Sequence, residues 1–405
     1  MKTMALAVMA VAALGGIRPA AADELRKPLL ETYEKAADWL IGQQDASGAW
    51  KMGPPDKAAP SPAYTGLILT GLAGAPAELK AKLAPAADKA AAYLASRANP
   101  DGSFGEGPSG SFMKTYTTGI ALMALAGHDP QKHAGIIRGA QAYLKNNQLK
   151  EGAFKGGLGY GDEKPRFGKD GSLEKVVPET LPNLSVTGFA ADGLKMSGLP
   201  KDDAFWKLVV EFVRKCQNST EVNTDPAFVA SLKERGLSVG SDGGLYYAPI
   251  NDPAQHKAGT KKIADKEVIQ SYGAMTYDGI KTYLYAGLAK DSPEVQAAMD
   301  WVRKNYTVDV HPGFAFDQVQ RHHLRGVYHY YMVMARALDA YGEPTIETFD
   351  GKKREWAKDL GQQLLKTAKD AKMWQNENPA WYEGDPVLTT SYVLSTLDIL
   401  FRYIK

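Results

Sequence analysis

The chain repeats one short pattern along its length, and a repeat of this kind restricts the fold more than any other sequence feature. In three copies an aromatic–leucine pair precedes a Gly-x-aromatic turn by the same distance. The copies are Trp39-Leu40 with Gly48 to Trp50, Tyr93-Leu94 with Gly102 to Phe104, and Tyr143-Leu144 with Gly152 to Phe154. Partial copies follow around 212–217, 301–314 and 364–374. The longer gaps between copies predict insertions around 155–182 and 218–270.

A second element follows each turn. It begins with Thr, Ser or Tyr and continues with small apolar residues, in segments 64–74, 116–127, 185–198, 275–287, 326–342 and 388–400. Residues 120–126 are apolar on every side, which is typical of a buried helix. Thr or Ser caps the start of a helix and Gly ends one. Each of these segments is therefore predicted to be a buried inner helix.

The first element of each unit is amphipathic, as around 86–94 and 295–302, and is predicted to be an outer helix. An open stack of such pairs leaves apolar faces exposed at both ends, whereas a closed ring buries them. The sequence therefore predicts an all-α protein, a closed α/α toroid of about six helix pairs with apolar inner and amphipathic outer helices. An open helical solenoid is the alternative.

Segment 35–50 resembles the aromatic repeat of squalene–hopene cyclases and protein prenyltransferase β-subunits. The repeat is carried by the basic Lys35, the pair Trp39-Leu40, Gln44 and the Gly-x-Trp turn. The second copy departs from it, since Ala98 replaces the glutamine, and the fourth to sixth copies are partial. The resemblance implies a terpenoid cyclase-like toroid that holds an isoprenoid or another hydrophobic small molecule in a central cavity.

The N-terminus has the composition of a signal peptide: a basic Lys2, an apolar run over 4–16 and small residues before Asp23. We expect cleavage near Ala22, export to the periplasm or medium, and one toroid domain over 23–405. Removing 1–22 brings the formal net charge from +2 to zero, which argues against a nucleic-acid partner. No anchoring helix is evident, and contact with a membrane surface stays open. The lone Cys216 excludes an internal disulfide.

In a toroid the inner helices begin around one mouth of the cavity, so residues near those starts are the candidate site. They are rich in tyrosine, whose faces stabilise cations and suit flat or apolar ligands. The predicted ligand-binding residues are Tyr64, Tyr116, Thr118, Tyr272, Tyr277, Tyr328, Tyr331 and Tyr392.

Asp278 and His329 are the candidate catalytic residues, because each is an ionisable group in an apolar inner helix. The Asp-x-Asp-Asp acid of the squalene–hopene cyclases and the Asp-x-Cys zinc ligands of the prenyltransferases have no counterpart here. We therefore expect no metal and no cofactor. The carboxylates Glu383, Asp385, Asp162 and Glu163 lie in turn sequences, where capping or solvation explains them.

These observations favour an exported protein that handles a hydrophobic ligand, with terpene cyclisation or isomerisation as the activity if it is an enzyme. A non-catalytic toroid that binds a ligand or a peptide is the first alternative. A carbohydrate-active toroid, a hydrolase or lyase, is the second, and the aromatic repeat fits it poorly.

Overall fold

The structure is a computed structural model that describes residues 20–54, 56–107, 110, 112–163 and 181–405, with side chains from residue 24 onwards. Most of the predicted signal peptide and residues 164–180 of the first predicted insertion lie outside these residues. The described residues form thirteen α-helices. They are α1 (Ala20–Ile41), α2 (Pro62–Ala73), α3 (Ala77–Ser96), α4 (Lys114–His128), α5 (Ala134–Asn147), α6 (Leu184–Met196), α7 (Ala204–Lys215), α8 (Pro226–Glu234), α9 (Gly273–Tyr285), α10 (Pro293–Asn305), α11 (Val327–Tyr341), α12 (Trp356–Thr367) and α13 (Pro386–Tyr403).

Six of these helices, α2, α4, α6, α9, α11 and α13, coincide with the predicted inner helices and are buried over most of their length. Each packs against the next one in this order, and α13 packs against α2. Close approach is possible because small residues lie at the contacts. A Cβ on Gly119 of α4, for example, would lie 2.8 Å from the backbone oxygen of Phe189 in α6.

The amphipathic helices α1, α3, α5, α7, α10 and α12 alternate with the inner ones along the chain. Each buries one apolar face. In α7 this face consists of Phe205, Val209, Phe212 and Val213, with charged residues between them. Burial of such a face, rather than helix propensity, supplies most of the stability of a helix of this length.

The repeated turn joins an outer helix to the following inner helix by two kinds of hydrogen bond. The glutamine binds two carbonyls at once: Gln44 Nε2 donates to Gly48 O in its own turn and to Ala86 O in the next outer helix, each at 3.0 Å. Gln148 and Gln217 do the same in their units. The motif therefore links consecutive units and serves the fold.

A threonine in the first turn of five inner helices makes the second kind of bond. Its hydroxyl accepts the backbone N–H of the third turn residue, as Thr118 does from Phe104 at 2.8 Å. The other pairs are Thr65 with Trp50, Thr187 with Leu158, Thr276 with Leu245, and Thr390 with Trp374. These five threonines share one register, so they occupy equivalent positions in the five helices.

The described residues are mostly helical, in agreement with the predicted all-α class, and they also form three small sheets that the sequence did not predict. They are β1 (Trp50–Met52) with β2 (Ala59–Ser61), β3 (Leu237–Ser238) with β5 (Lys266–Ile269) and β4 (Thr260–Ile263), and β6 (Ile346–Glu347) with β7 (Lys353–Arg354). The largest lies in the 218–270 insertion. There, the paired residues Ile263 and Lys266 flank a two-residue turn whose Ala264 has a φ of 55°, and a positive φ is typical of a tight hairpin turn.

In the part of the chain that the structure describes, no helix combines the length and the apolar composition that crossing a bilayer requires. Cys216 is buried at the end of α7 and has no disulfide partner.

Candidate functional site

A cavity of about 220 Å³ lies at the N-terminal ends of the inner helices. Its wall is mainly apolar and aromatic. The lining residues are Met52, Ala63, Tyr64, Leu67, Glu106, Phe112, Met113, Tyr116, Tyr160, Ser185, Tyr247, Lys257, Tyr272, Ala274, Met275, His329, Trp381, Tyr382, Glu383, Leu388 and Tyr392. A mostly apolar pocket with a few polar groups is the usual form of a small-molecule site.

The structure brings five of the ten predicted site residues to this cavity: Tyr64, Tyr116, Tyr272, His329 and Tyr392. Ring contacts link Tyr116, His329 and Tyr392 to other aromatic residues around the cavity. Tyr116 packs on Tyr160 with the ring centroids 6.0 Å apart, and the His329 ring lies 5.8 Å from that of Tyr392. Aromatic faces of this kind bind apolar or cationic groups.

The threonine register explains why these residues face the cavity. In each of the five aligned helices the residue two positions before the threonine lines the cavity, because the threonine itself faces the turn. These lining residues are Ala63, Tyr116, Ser185, Ala274 and Leu388. Thr118 is buried against Phe104 and does not belong to the lining.

Tyr277, Tyr328 and Tyr331 lie away from the cavity lining as well. Tyr277 directly follows the register threonine of α9, and its ring packs on Tyr330 with the centroids 5.8 Å apart. In α11, Tyr331 stands two residues after the lining residue His329 and so takes the place of the threonine. Its hydroxyl donates to Val308 O at 2.6 Å, in the loop before the helix.

Asp278 lies below the cavity in a buried cluster of four charges. Its Oδ1 is 2.7 Å from Lys281 Nζ, and Lys281 also donates to Asp192. Arg336 Nη1 donates to the same Asp192 oxygen at 2.8 Å. Asp192, Asp278, Lys281 and Arg336 are all buried and come from α6, α9 and α11. We call them the charge quartet. Two acidic and two basic groups face one another, which offsets part of the cost of burying each charge alone.

Burial raises the pKa of Asp278 to about 6, against the opposing effect of Lys281. A Cβ on Gly188 of α6 would lie 2.5 Å from Asp278 Oδ1, so the glycine makes room for this carboxylate. Asp278 thus has close neighbours on two helices and does not belong to the cavity lining.

His329 is at the cavity wall and is held there by the start of α11. Burial lowers its pKa to about 3, with help from the charges of Lys281, His311 and Arg336. The imidazole is therefore neutral at neutral pH. Its Nε2 has no hydrogen-bond partner among the described residues. A neutral imidazole with a free nitrogen can hydrogen-bond a ligand, but with a pKa of about 3 it is a weak base.

The cavity contains two carboxylates that the sequence did not identify as site residues. Glu106 Oε1 accepts the backbone N–H of Ala63 at 2.8 Å, at the start of α2. Glu383 accepts the N–H groups of Tyr328 and His329 at 3.2 and 2.7 Å, at the start of α11. Asn376 Nδ2 also donates to Glu383, at 2.6 Å. Glu383 therefore caps a helix, as its turn sequence suggested, and also lines the cavity.

Burial of Glu383 raises its pKa to about 7, although the hydrogen bonds to the carboxylate oppose this. Burial also raises the pKa of Glu106 above its ordinary value. At neutral pH a carboxyl group with a pKa of about 7 is protonated roughly half of the time, which suits a general acid or base. Glu383 and His329 thus form a pair of neighbouring cavity groups whose environments move their pKa values in opposite directions.

The repeat carries a signal for several of the residues that sequence reasoning missed. One turn residue in each unit bonds the threonine through its backbone N–H. In four units, the residue two positions after that turn residue has its side chain in the cavity lining. These residues are Met52, Glu106, Tyr160 and Tyr247. The sequence alone does not identify this position, because the threonine bond that defines it is visible only in the three-dimensional structure. Among the described residues no group of three or more His, Cys, Asp or Glu side chains is arranged to hold a metal ion.

No family model and no curated protein matches this chain. Solved structures do. The chain is similar to the type II terpene cyclase MstE from Scytonema, with a TM-score of 0.51 and 17% identity over 92% of this chain and 98% of the cyclase. It is similar to a protein from Actinoplanes, with a TM-score of 0.54 and 13% identity over 92% and 99%.

The α-1,6-mannanase GH76A from Salegentibacter sp. HEL1_6 gives a TM-score of 0.53 and 10% identity over 94% of this chain and 99% of the mannanase. The cyclase and the mannanase share an α/α toroid fold. These likenesses support a terpenoid cyclase-like toroid fold for this mostly helical chain, and at such low identity they concern the fold alone.

Proposed function

We propose that this chain binds an isoprenoid or another hydrophobic small molecule in the tyrosine-lined cavity and acts on it by proton transfer, as a cyclase or isomerase. The observation that carries the proposal is Glu383, a carboxyl group with a pKa of about 7 in the wall of an apolar cavity, next to the neutral His329. The proposal also includes a closed ring of six helix pairs, which is supported by the packing of α13 on α2.

The cyclase neighbours agree with a ligand of this class. MstE has been solved with geranylgeranyl dihydroxybenzoate as substrate and with merosterolic acid A as product. A mannanase variant with two adjacent aspartates replaced has been solved with α-1,6-mannotetrose. The one adjacent aspartate pair in this sequence is Asp202-Asp203, and Asp203 caps the outer helix α7. The cavity therefore has no such pair, which favours the isoprenoid over the sugar.

We infer that Glu383 is the group that transfers a proton to or from the substrate. A carboxylic acid with a pKa near 7 is matched to transfer to and from an oxygen or an activated carbon at neutral pH. It is too weak to protonate an isolated alkene readily. Substrates with an epoxide, a carbonyl or an allylic leaving group are therefore favoured over a plain hydrocarbon. Tyrosine faces would stabilise positive charge that develops on the substrate.

The test is native mass spectrometry of the full chain with squalene, squalene epoxide, a prenyl diphosphate and an α-1,6-mannose oligosaccharide, followed by extraction and product analysis. We expect an isoprenoid to bind and to be converted. Glu383→Gln keeps an acceptor oxygen for α11 but has no transferable proton, so turnover should fall by about 100-fold or more while binding persists. The matched control is Asp225→Asn, which alters the cap of α8 outside the cavity.

Binding of the oligosaccharide alone would overturn the isoprenoid proposal. A second candidate function, non-catalytic binding, is favoured by one observation: both cavity carboxylates already accept hydrogen bonds from helix N-termini. Retention of an unchanged isoprenoid by the wild-type chain would support the binder. If Asp278→Asn abolishes turnover and Glu383→Gln keeps it, the catalytic acid is Asp278 of the charge quartet and not Glu383.

We also propose that the chain is exported after cleavage near Ala22. The support is the basic, apolar and small-residue pattern of 1–22. Intact-mass measurement of the mature protein from the producing cells tests it, and a chain that begins at Met1 in the cytoplasm would contradict it.

A further inference from the structure

One cation lies at the wall of the cavity. Lys257 comes from the 218–270 insertion, and its ammonium nitrogen lies 4.9 Å from the centroid of the Tyr247 ring. The hydroxyl of Tyr247 is hydrogen-bonded to that of Tyr160 at 2.9 Å, and both tyrosines line the cavity. A lysine resting on a lining aromatic ring is thus in reach of any ligand that fills the space.

A second cation lies beside the first. Arg325 Nη1 donates to Lys257 O at 3.4 Å, and the guanidinium lies 5.8 Å from the Phe314 ring centroid. Its Nε is buried and has no hydrogen-bond partner among the described residues. Among the described residues, neither Lys257 nor Arg325 forms an ion pair with a carboxylate. Burial lowers the pKa of Lys257, and the charge of Arg325 lowers it further.

Neither cavity carboxylate lies within ion-pair distance of Lys257 or Arg325. Glu106 is bonded to the start of α2 and Glu383 to the start of α11. Two neighbouring cations that have no counter-ion among the described residues repel each other, and the repulsion is relieved when an anion binds beside them. The rest of the wall is apolar and aromatic, so the anion would be one end of a molecule whose other end is hydrophobic.

We propose that Lys257, with Arg325 beside it, recognises an anionic group of the ligand, so that the substrate is an amphiphile with a hydrophobic body and a terminal carboxylate or phosphate. The inference rests on the proposed function, because it names the ligand class of the same cavity. Lys257 is the specificity-determining residue. The hydrophobic body lies among the tyrosines, and the anionic end lies at the ammonium group.

The experiment compares three probes that share one hydrocarbon chain: farnesol, farnesoic acid and farnesyl phosphate. Binding to the full chain is measured by titration calorimetry at low and high salt. We expect at least one anionic probe to bind about tenfold or more tightly than the alcohol, since a charge-assisted hydrogen bond stabilises by that amount. Salt should weaken the anionic probe and leave the alcohol unchanged. The stronger of the two anions identifies the head group.

Lys257→Met should remove the preference for the anion and keep the affinity for farnesol within about twofold. Lys262→Met, at an exposed lysine of β4 in the same insertion, is the matched control and should keep the preference. Arg325→Met should reduce the preference in part. Thermal melting confirms that each variant is folded.

Equal binding of the alcohol and both anions, or an unchanged preference in Lys257→Met, would overturn this inference and leave the proposed function standing. Failure of all three probes to bind would count against the proposed function and this inference together. The two failures are therefore distinguishable.

Discussion

At the scale of single residues, one repeated hydroxyl marks which helix positions reach the cavity. The register threonine bonds the turn, and the residue two positions earlier lines the cavity, as Tyr116 does relative to Thr118. The residue two positions after the threonine also points inward, one layer deeper. Tyr392, two residues after Thr390, lines the cavity, and Asp278, two residues after Thr276, belongs to the charge quartet. The threonine itself is thus structural, and its register indicates the positions that line the cavity.

Replacing Thr118 by Val should destabilise the protein without affecting the ligand. The substitution keeps the shape but leaves the buried Phe104 N–H without an acceptor, which costs about 1–3 kcal/mol. The free energy of unfolding in urea measures it. Thr70→Val is the control, because Thr70 donates only to Gly66 O within its own helix and no donor loses its partner. A loss of ligand affinity in Thr118→Val would return this residue to the binding site.

Glu383 should make stability fall as pH rises. In the unfolded chain its pKa returns to 4.5, whereas the folded chain holds the proton up to about pH 7. Between these values only the unfolded state has released the proton, so the free energy of unfolding decreases by about 3 kcal/mol. Subtracting the pH profile of Glu383→Gln isolates this contribution from that of His329. A difference between the two profiles that stays flat from pH 4.5 to 7 would contradict the raised pKa.

At the scale of elements, apolar periodicity and Gly or Thr punctuation predict all six inner helices close to their observed positions. The pattern does not determine how each helix is rotated about its own axis, and therefore which side chains face the cavity. Tyr277 and Tyr331 are near helix starts, yet they pack away from the cavity because the register threonine, or its substitute, sets the rotation. The wall residues Glu106 and Tyr247 come from turns, where sequence periodicity gives no direction. The hairpin of β4 and β5 was missed because its alternation covers only four residues a strand.

Close packing of α4 on α6 depends on glycine at both contacts. A Cβ on Gly119 would lie 2.8 Å from Phe189 O, and one on Gly193 would lie 2.5 Å from Gly119 O. Because these are backbone atoms, Gly119→Ala must push the helices apart, at a cost of about 1–3 kcal/mol. Gly135→Ala in the outer helix α5 meets no atom within 4 Å and should be neutral or stabilise by up to about 1 kcal/mol. Chemical unfolding of both variants measures the contrast.

At the scale of the whole molecule, the inner helices are organised in layers that share the threonine register. The cavity residues of these helices lie within two positions of the threonine, and most of the charge quartet lies further along each helix. Asp192 and Lys281 each stand five positions after their threonines, and Arg336 stands five after Tyr331. The quartet thus joins α6, α9 and α11 below the site. Removing one partner of such a buried group leaves an uncompensated charge, which is why the four residues form a single unit.

A closed ring and an open stack differ in how their first and last inner helices behave. In an open stack the end units fray, because each contacts one neighbour. In the structure α2 contacts both α4 and α13, so we expect the amides of α2 and α13 to exchange with solvent hydrogen as slowly as those of α6. Hydrogen–deuterium exchange with mass spectrometry measures this directly. Protection that declines steadily from α6 toward α2 and α13 would contradict closure.

Gly71 offers a direct perturbation of the closing contact. A Cβ at this position would lie 2.8 Å from Leu394 Cβ in α13, whereas a Cβ on Gly127 of α4 meets only the flexible end of Met196, at 3.5 Å. If residues 23–405 form one domain, Gly71→Ala should lower the protection of all six inner helices together, and Gly127→Ala should leave it unchanged. Because every inner helix has two inner neighbours in a ring, loosening one contact weakens the whole ring. A loss of protection confined to α2 and α13 would instead indicate separate units that unfold independently.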